Sequence, residues 1–500
     1  MIAPVIHWYF KQRYQDFQLM ASRAADAQDV WFEYLLDKGK DTAYGEFAGF
    51  KNIRNYAQWK EMVPVANYED LKPWIERTME GEQGVLWPEE ITWFAKSSGT
   101  TGNTAKFIPI SYESLEDNHF KGTKDILTLF CAENPESEMF QGKALLIGGS
   151  HKINQLNTRG YYGDLSAVLI NHMPVWANFK STPDLSIALM DNWEEKVETM
   201  AQATINEDVT SISGVPTWTL VLFKRILEIT GKKHMHEVWP NLELFIHGGV
   251  SFTPYREQFK QLLPNPQMRY VETYNASEGF FGVQYSSASS DMLLVTDHGV
   301  FYEFYPVNEG PEAAVQLRDV KPGVNYAVMI TTTGGLWRYN LGDTIQFSST
   351  SPYLFKISGR TKLYINAFGE ELVIENADTA IAAAAGKSGA VIEEYTAAPV
   401  FMTDTEPGHE WLIEFSVPPA DMDVFTGLLD EHLKACNGDY AAKRQGDLAM
   451  KMPKIMAVPA GTFQQWLKQK GKLGGQHKVP RLSNDRSILE DILKTLQQTA

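Results

Sequence analysis

Cysteine is almost missing from this chain: only Cys131 and Cys436 occur among 500 residues, and they lie far apart. Neither a disulfide framework nor a cysteine-type zinc site can be assembled from such a pair, and a reducing, cytoplasmic setting is the expectation. Long apolar runs are missing as well. The start, Met1-Ile2-Ala3-Pro4, is soon followed by Lys11, Arg13 and Asp16, which predicts neither a signal peptide nor a membrane-spanning helix. No later stretch reaches spanning length without charges. Positive charge is scarce: 45 Lys and Arg against 62 Asp and Glu leave a net charge of −17. A protein that coats nucleic acid needs a basic, counterion-releasing face, so no nucleic-acid partner is expected, and no membrane partner either. A small polyphosphate stays compatible with an acidic chain, because a few local groups and backbone amides suffice to hold it. Internal repeats and low-complexity linkers are also missing.

What is present reads as an ordinary globular protein, with 44% hydrophobic, 21% charged and 12% aromatic residues. The length exceeds one compact core, so a large domain and a smaller one are expected. From Gln15 to Gly81 the pattern is helical, with Val30, Phe32, Leu35 and Leu36 at helical spacing among charges and read as packing residues. The middle alternates short apolar strands with helices, the pattern of an α/β sheet. Strands are expected at Ala144–Ile147, Leu242–His247 and Met268–Thr273, with a helix over Thr253–Leu263 and a loop from Tyr274 to Gly279. Ligands in open α/β sheets sit beyond the carboxyl ends of strands, which places the glycines after His247 and the Tyr274 loop well. From Met292 to Phe355 short β-runs follow. After Gly359-Arg360 the rhythm becomes strand, helix, strand, strand, helix, strand, enough for a small α+β domain. The join is placed near Ile357 to Thr361, giving domains 1–356 and 357–500.

Four motifs carry chemistry. The first is Phe94-Ala95-Lys96-Ser97-Ser98-Gly99-Thr100-Thr101-Gly102-Asn103-Thr104-Ala105-Lys106. Hydroxyls and glycines closed by a lysine offer N–H groups, O–H groups and one cation to a polyphosphate, without the Walker A spacing. The bland alternative is a solvated turn. The second, Tyr274-Asn275-Ala276-Ser277-Glu278-Gly279, combines a ring for a purine, small residues for a phosphate and a carboxylate for Mg²⁺. Its alternative is a chance turn in which Glu278 merely starts a helix. The third, Gly335-Leu336-Trp337-Arg338-Tyr339-Asn340-Leu341-Gly342-Asp343, ends on an acid suited to ribose hydroxyls, or simply on a surface aspartate. The fourth, Lys470-Gly471-Lys472-Leu473-Gly474-Gly475-Gln476-His477-Lys478-Val479-Pro480-Arg481, is a glycine-rich basic loop that a domain motion would deliver, or else a solvated loop.

In this order the four motifs resemble the superfamily of acyl-CoA synthetases, peptide-synthetase adenylation domains and luciferase. Within it the chain is most similar to the auxin-responsive acyl-acid amido synthetases, named in plants after the Gretchen Hagen transcripts. The likeness begins at Phe50-Lys51, passes through Val63-Pro64-Val65, Tyr68-Glu69-Asp70, Pro73-Trp74-Ile75-Glu76-Arg77 and Gly81, and runs to Arg481. It implies a large N-terminal α/β domain with a β-subdomain and a small mobile α+β C-terminal domain. It also implies ATP and Mg²⁺, with a small carboxylic acid and an amino acid or other amine as partners.

Carried over residue by residue, the resemblance makes Ser97, Ser98, Gly99, Thr100, Thr101, Gly102 and Lys106 the phosphate loop. Gly248 and Gly249 lie against the adenine. Tyr274, Asn275, Ala276 and Ser277 hold the ring and the α-phosphate, and Glu278 faces the metal. Asp343 grips the ribose, Arg360 lies at the hinge, and Lys478 is the mobile lysine that neutralises charge during adenylation. Val215, Pro216, Thr217 and Trp218, at the start of a helix running through Leu222 and Ile226, line the acid site or belong to the core. Thr101 stands where Ser is common, Asn275-Ala276-Ser277 where two serines are frequent, and Asn340 where the family often has Arg. The activity implied is adenylation of an acid followed by transfer to an amine. The alternatives are an acid–thiol ligase making acyl-CoA and a catalytically silent nucleotide-binding module.

Overall fold

The computed structural model describes residues 2–97, 106–148, 153–190, 192–249, 252, 255–360, 364–365, 370, 372–400, 407–437, 440–441, 444, 450–472, 478–483 and 485–499. Two compact units divide the chain: Met1–Val250 with Leu263–Lys356, and Ser251–Leu262 with Ile357–Ala500. The excursion Ser251–Leu262, which carries the helix Arg256–Leu262, groups with the second unit, a membership invisible to a linear reading. The mixed α/β class expected from the sequence is the class observed.

In the first unit a twelve-stranded sheet runs through Ser181–Thr182, Lys143–Leu146, Val209–Ser213, Leu244–Gly248 and Arg269–Ala276, all parallel. It continues in spatial order through Gly279–Gln284, Met292–Leu294, Tyr353–Arg360, Tyr339–Thr350, Asn325–Thr332, Val300–Pro306 and Val315–Gln316. The centres of the parallel strands are covered on both faces: Val209, Ile212, Leu244 and Phe245 have no exposure. Their shared direction puts Gly214, Gly248 and Ala276, each at or just after a strand's carboxyl end, along one edge. A second, four-stranded sheet is ordered Lys106–Ile110, Trp93–Ser97, Tyr161–Gly163, Asn154–Gln155.

Long helices at the start, Ile2–Ser22 and Ala24–Gly39, pack one face inward. Phe17 and Met20 join Ile126, Leu129, Phe280 and Val283 in one apolar cluster. Leu35 is buried as expected, but Val30 is 65% exposed. Gln28 replaces an apolar contact with three hydrogen bonds: Nε2 donates to the carbonyls of Thr296 (2.9 Å) and Val300 (2.8 Å), and Oε1 accepts from the Tyr302 amide (2.7 Å). A buried amide satisfied in this way fixes the helix against the sheet in one register.

The second unit has a three-stranded sheet, Val391–Val400, Gly408–Val417 and Lys454–Val458, the first pair antiparallel and the second parallel. Strand alternation divides its side chains between two cores. Ala397, Trp411 and Ile413 meet helices Ile374–Ser388 and Met422–Cys436, whereas Ala398 and Leu412 meet helices Thr462–Gln469 and Ser487–Thr499. The first of these helices starts at Ile374, directly after Leu372–Val373, which pairs with Tyr364–Ile365. No described helix is long and apolar enough to cross a membrane.

Candidate active site

The predicted loop from Tyr274 to Gly279 is a tight hairpin. The strand Arg269–Ala276 keeps its pairing through Tyr274, Asn275 and Ala276, only Ser277 and Glu278 form the turn, and Ala276 faces Gly279. The return strand Gly279–Gln284 supplies the pairing partners of these residues, which outweighs the turn preference of Asn and Ser. The Asn118 side chain clamps the return strand: its Oδ1 accepts from the Phe280 amide (2.6 Å) and its Nδ2 donates to the Phe280 carbonyl (3.0 Å). Glu278 is thereby carried on a rigid two-residue turn and is half-buried, while Ser277 is buried and Asn275 exposed.

Asp343 sits on a bulge. Ala327 pairs with Thr344 and Met329 with Asn340, so Leu341, Gly342 and Asp343 stand opposite a single residue. Gly342 permits this with φ of +81°, a conformation that a side chain disfavours. The bulge turns Asp343 inward to 5% exposure, so it is not a surface aspartate. Its Oδ2 accepts a hydrogen bond from the Tyr274 hydroxyl at 2.7 Å. The Tyr274 ring itself is buried against Phe281 (centroids 5.2 Å apart) and Phe355 (5.9 Å). Two residues assigned to one nucleotide, from separate motifs, are thus in direct contact.

Two further contacts join the first motif to these two. Lys106 is half-buried at the start of its strand and pairs across the antiparallel ladder with Ser97, so the two ends of the predicted phosphate loop meet. Its Nζ lies 3.4 Å from the Tyr339 hydroxyl, which in turn donates to Glu278 Oε1 at 3.3 Å. Ser98, Gly99, Thr100, Thr101 and Gly102 lie outside the described residues, as do the side chains of Ser97, Thr217 and Arg360. The backbone of Arg360 ends the strand Tyr353–Arg360.

Gly248 ends its strand beside Thr273. A Cβ there would stand 2.7 Å from the Thr273 carbonyl oxygen, so only glycine fits this approach, and the exposed Gly249 follows with φ of +81°. Val215 and Trp218 are half-buried and Pro216 is buried, opening the helix Pro216–Thr230 after Gly214. Leu222 and Ile226 are core residues, with at most 1% exposure. In the second unit Lys478 is half-buried and immediately precedes Val479, which belongs to the core with Leu412 and Trp466. The Pro480 carbonyl accepts from the Thr396 hydroxyl (2.6 Å) and the Arg481 carbonyl from the Ala397 amide (2.8 Å), so this segment lies along the edge of strand Val391–Val400.

The sequence gives no sign of one buried arginine pair. Arg338 has φ of +42°, unusual for a residue with a side chain, and is buried with its guanidinium on Glu303 (Nη2–Oε1 2.9 Å, Nε–Oε2 3.0 Å). Glu303 also accepts from the Trp59 indole (3.0 Å) and the Tyr56 hydroxyl (3.0 Å). Asn340, where the resemblance led one to look for an arginine, donates to the Tyr305 hydroxyl at 3.0 Å. The adjacency Arg338-Tyr339 was the available signal, but nothing in it indicates a carboxylate 35 residues upstream.

Comparison with known proteins agrees with this architecture. Residues 13–268 match the GH3 family N-terminal domain, 293–360 its central domain and 375–487 its C-terminal domain. The indole-3-acetic acid-amido synthetase GH3.3 of Arabidopsis thaliana is 25% identical over 91% of this chain and 89% of its own length. A solved GH3.15 acyl acid amido synthetase in complex with 2,4-DB superposes with a TM-score of 0.81 at 17% identity, covering 97% of this chain and 96% of that one. A 2-hydroxyisobutyryl-CoA ligase with its acyl-AMP bound superposes with a TM-score of 0.56 at 13% identity, over 98% and 93% of the two chains. With more than half of its length matched by the N-terminal domain alone, this chain belongs to the GH3 family.

Proposed function

We propose that this protein uses ATP to adenylate a small carboxylic acid and then transfers the acyl group to an amine, an amino acid in the first instance. The observation that carries the reading is the convergence of the three motifs of the first unit: Tyr274 bonded to Asp343, and Lys106 bonded through Tyr339 to Glu278. Family membership and the amido synthetases among its relatives support it.

In the first step an acid oxygen attacks the α-phosphorus, a new P–O bond forms and the bond to pyrophosphate breaks. Little covalent work falls to the protein, so positioning and charge neutralisation dominate. Ser97 to Gly102 and Lys106 cradle the phosphates, Gly248 and Gly249 line the adenine, and the hairpin Tyr274 to Ser277 borders the ring and the α-phosphate. Asp343, oriented by the Tyr274 hydroxyl, accepts the ribose hydroxyls. Lys478 supplies the cation that meets the charge developing on the α-phosphate, and a turn of the second unit at Arg360 brings it in and withdraws it. Val215 to Trp218 border the acid. In the second step the uncharged amine attacks the acyl carbon, the C–O bond to AMP breaks, and a proton leaves the nitrogen as the amide forms.

Glu278 is the residue that would hold Mg²⁺. Among the described residues no group of three His, Cys, Asp or Glu is placed to cage a metal. A single carboxylate on a rigid turn suits Mg²⁺, which takes one or two carboxylates and completes its shell with phosphates and water. Bound there, the ion would neutralise phosphate charge. The cysteine usage supports a cytoplasmic location.

The test is pyrophosphate release from Mg²⁺-ATP across a panel of carboxylic acids, followed by mass spectrometry with equal amino acid and coenzyme A. An acyl-amide product is expected. A dominant acyl-CoA thioester would replace the amide reading while keeping adenylation, and no acid-dependent pyrophosphate release would end both.

A further inference from the structure

Tyr339 was read in the sequence only as one letter of a strand-turn motif, yet it has no solvent exposure and its hydroxyl lies between the two charged groups of the site. Its backbone is held on both sides. Tyr339 pairs with Ile330 in the large sheet, and on the other edge the Ala66 amide donates to the Arg338 carbonyl (3.0 Å) while the Asn340 amide donates to the Ala66 carbonyl (2.8 Å). The preceding residue is locked too, because Arg338 is kept in its left-handed conformation by Glu303 and by the Val63 carbonyl (2.7 Å). A ring anchored in this way gives its hydroxyl a fixed address. Lys106 has less support of its own: its ammonium rests near the faces of Tyr68 (5.8 Å) and Tyr339 (6.0 Å), a cation–π cage that sets its height but not its direction. The hydroxyl supplies the direction, and at the same time donates to the Glu278 carboxylate.

We infer that Tyr339 is a positioning residue, whose hydroxyl sets Lys106 toward the triphosphate and Glu278 toward the cation that accompanies it. This rests on the adenylation reading above. A hydroxyl suits this place because it separates an ammonium from a carboxylate that would otherwise neutralise each other directly, and it keeps both charges for the nucleotide. Partners that orient a metal-binding carboxylate typically matter by about 10- to 100-fold in metal affinity or activity when removed.

Tyr339→Phe is the informative variant, since it keeps the buried ring and removes only the hydroxyl. Binding is read without turnover, by electron paramagnetic resonance of Mn²⁺ titrated into protein saturated with α,β-methylene-ATP. The Mn²⁺ dissociation constant is expected to rise by about 10-fold or more, with the thermal midpoint of the nucleotide-free protein unchanged. Acid-dependent pyrophosphate release should fall in parallel, and the losses of Tyr339→Phe and Glu278→Gln should combine to less than their product in the double variant, because the part of the hydroxyl's effect that acts through Glu278 is then already gone. Equal Mn²⁺ affinity in Tyr339→Phe and the unaltered protein overturns the inference, as does a double variant whose losses multiply. Failure of the underlying reading looks different: the unaltered protein itself then binds no α,β-methylene-ATP.

Discussion

Two buried arginines, one in each unit, hold the backbone next to functional residues, and they do it differently. Arg338 in the first unit has one carboxylate, Glu303, and sits inside the large sheet with strand partners on either side of its neighbour Tyr339. Arg481 in the second unit has two carboxylates, Asp378 (2.8 Å) and Glu394 (3.3 Å), bonds the Tyr255 hydroxyl, and lies over the rings of Tyr255 and Tyr395. Its segment, however, is attached to a single strand edge through Thr396 and Ala397. Groups that must stay still, Tyr339 and Asp343, are built into a sheet interior. The group proposed to arrive and leave, Lys478, is mounted where its segment first meets a core, at Val479, and a strand edge.

The largest expected effect breaks the first arrangement. Glu303→Ala leaves Arg338 buried and uncompensated and should cost about 3–5 kcal/mol in urea unfolding. Adding Arg338→Met should recover much of that loss. Asp378→Ala should cost less, because Glu394 and Tyr255 still receive Arg481, and equal losses from the two single variants would erase the contrast.

Next comes Lys478→Ala, which should slow acyl-adenylate formation by roughly 2–4 kcal/mol of transition-state stabilisation while ATP affinity changes much less. Stopped-flow pyrophosphate release checks it, and a normal rate would remove Lys478 from the mechanism.

A smaller effect separates ligand binding from folding at the bulge. Asp343→Ala should raise the apparent KM for ATP and, by stranding the buried Tyr274 hydroxyl, cost about 1–3 kcal/mol of stability. Asp343→Asn should keep the stability, since an amide oxygen still accepts from Tyr274, and lose the ribose grip. If both variants unfold alike without nucleotide, the aspartate is purely structural.

The smallest effect concerns pH and lies in the first unit. His298 is fully buried with Nε2 2.9 Å from Asp125 and Nδ1 2.8 Å from Asp297, while Arg13 pairs with Asp125 and Lys121 with Asp297. Burial alone would lower the pKa of His298, but the hydrogen bonds to the two aspartates prevail and raise it above 6.5. Asp297 is moved the other way: burial would raise it, yet His298 and Lys121 hold it below the ordinary carboxylate range. A raised histidine stabilises fully below its unfolded pKa and loses that contribution as pH rises through the folded value. A depressed aspartate contributes above its unfolded pKa and loses that on acidification. Thermal scans should therefore show stability lost on the alkaline side of the raised value, and His298→Gln should flatten that limb.

Much of this was legible in one dimension. The motifs, their order and the family resemblance pointed to GH3, and the alternation of strands and helices pointed to the α/β class, because these depend on residue type and local period. The pairing of Ser97 with Lys106 was not legible there; it comes from a strand on either side of the glycine-rich run. Less was legible where partners are far apart in the chain. Tyr274 to Ala276 read as loop because their types favour turns, whereas pairing with the return strand Gly279–Gln284 made them sheet.

The sequence by itself determined which chemical groups are available and the order in which they come: the hydroxyl-rich loop, the acidic turn, Asp343 and Lys478. Only the tertiary structure decided how they meet. It moved Asp343 from a surface turn to a buried bulge against Tyr274, made Tyr339 the link between Lys106 and Glu278, and set Arg338 on Glu303. The physical reason is range. Propensity and periodicity act over a few residues, whereas a buried charge or hydroxyl must find its partner wherever the fold brings one, and these partners lie 69, 61 and 35 residues apart.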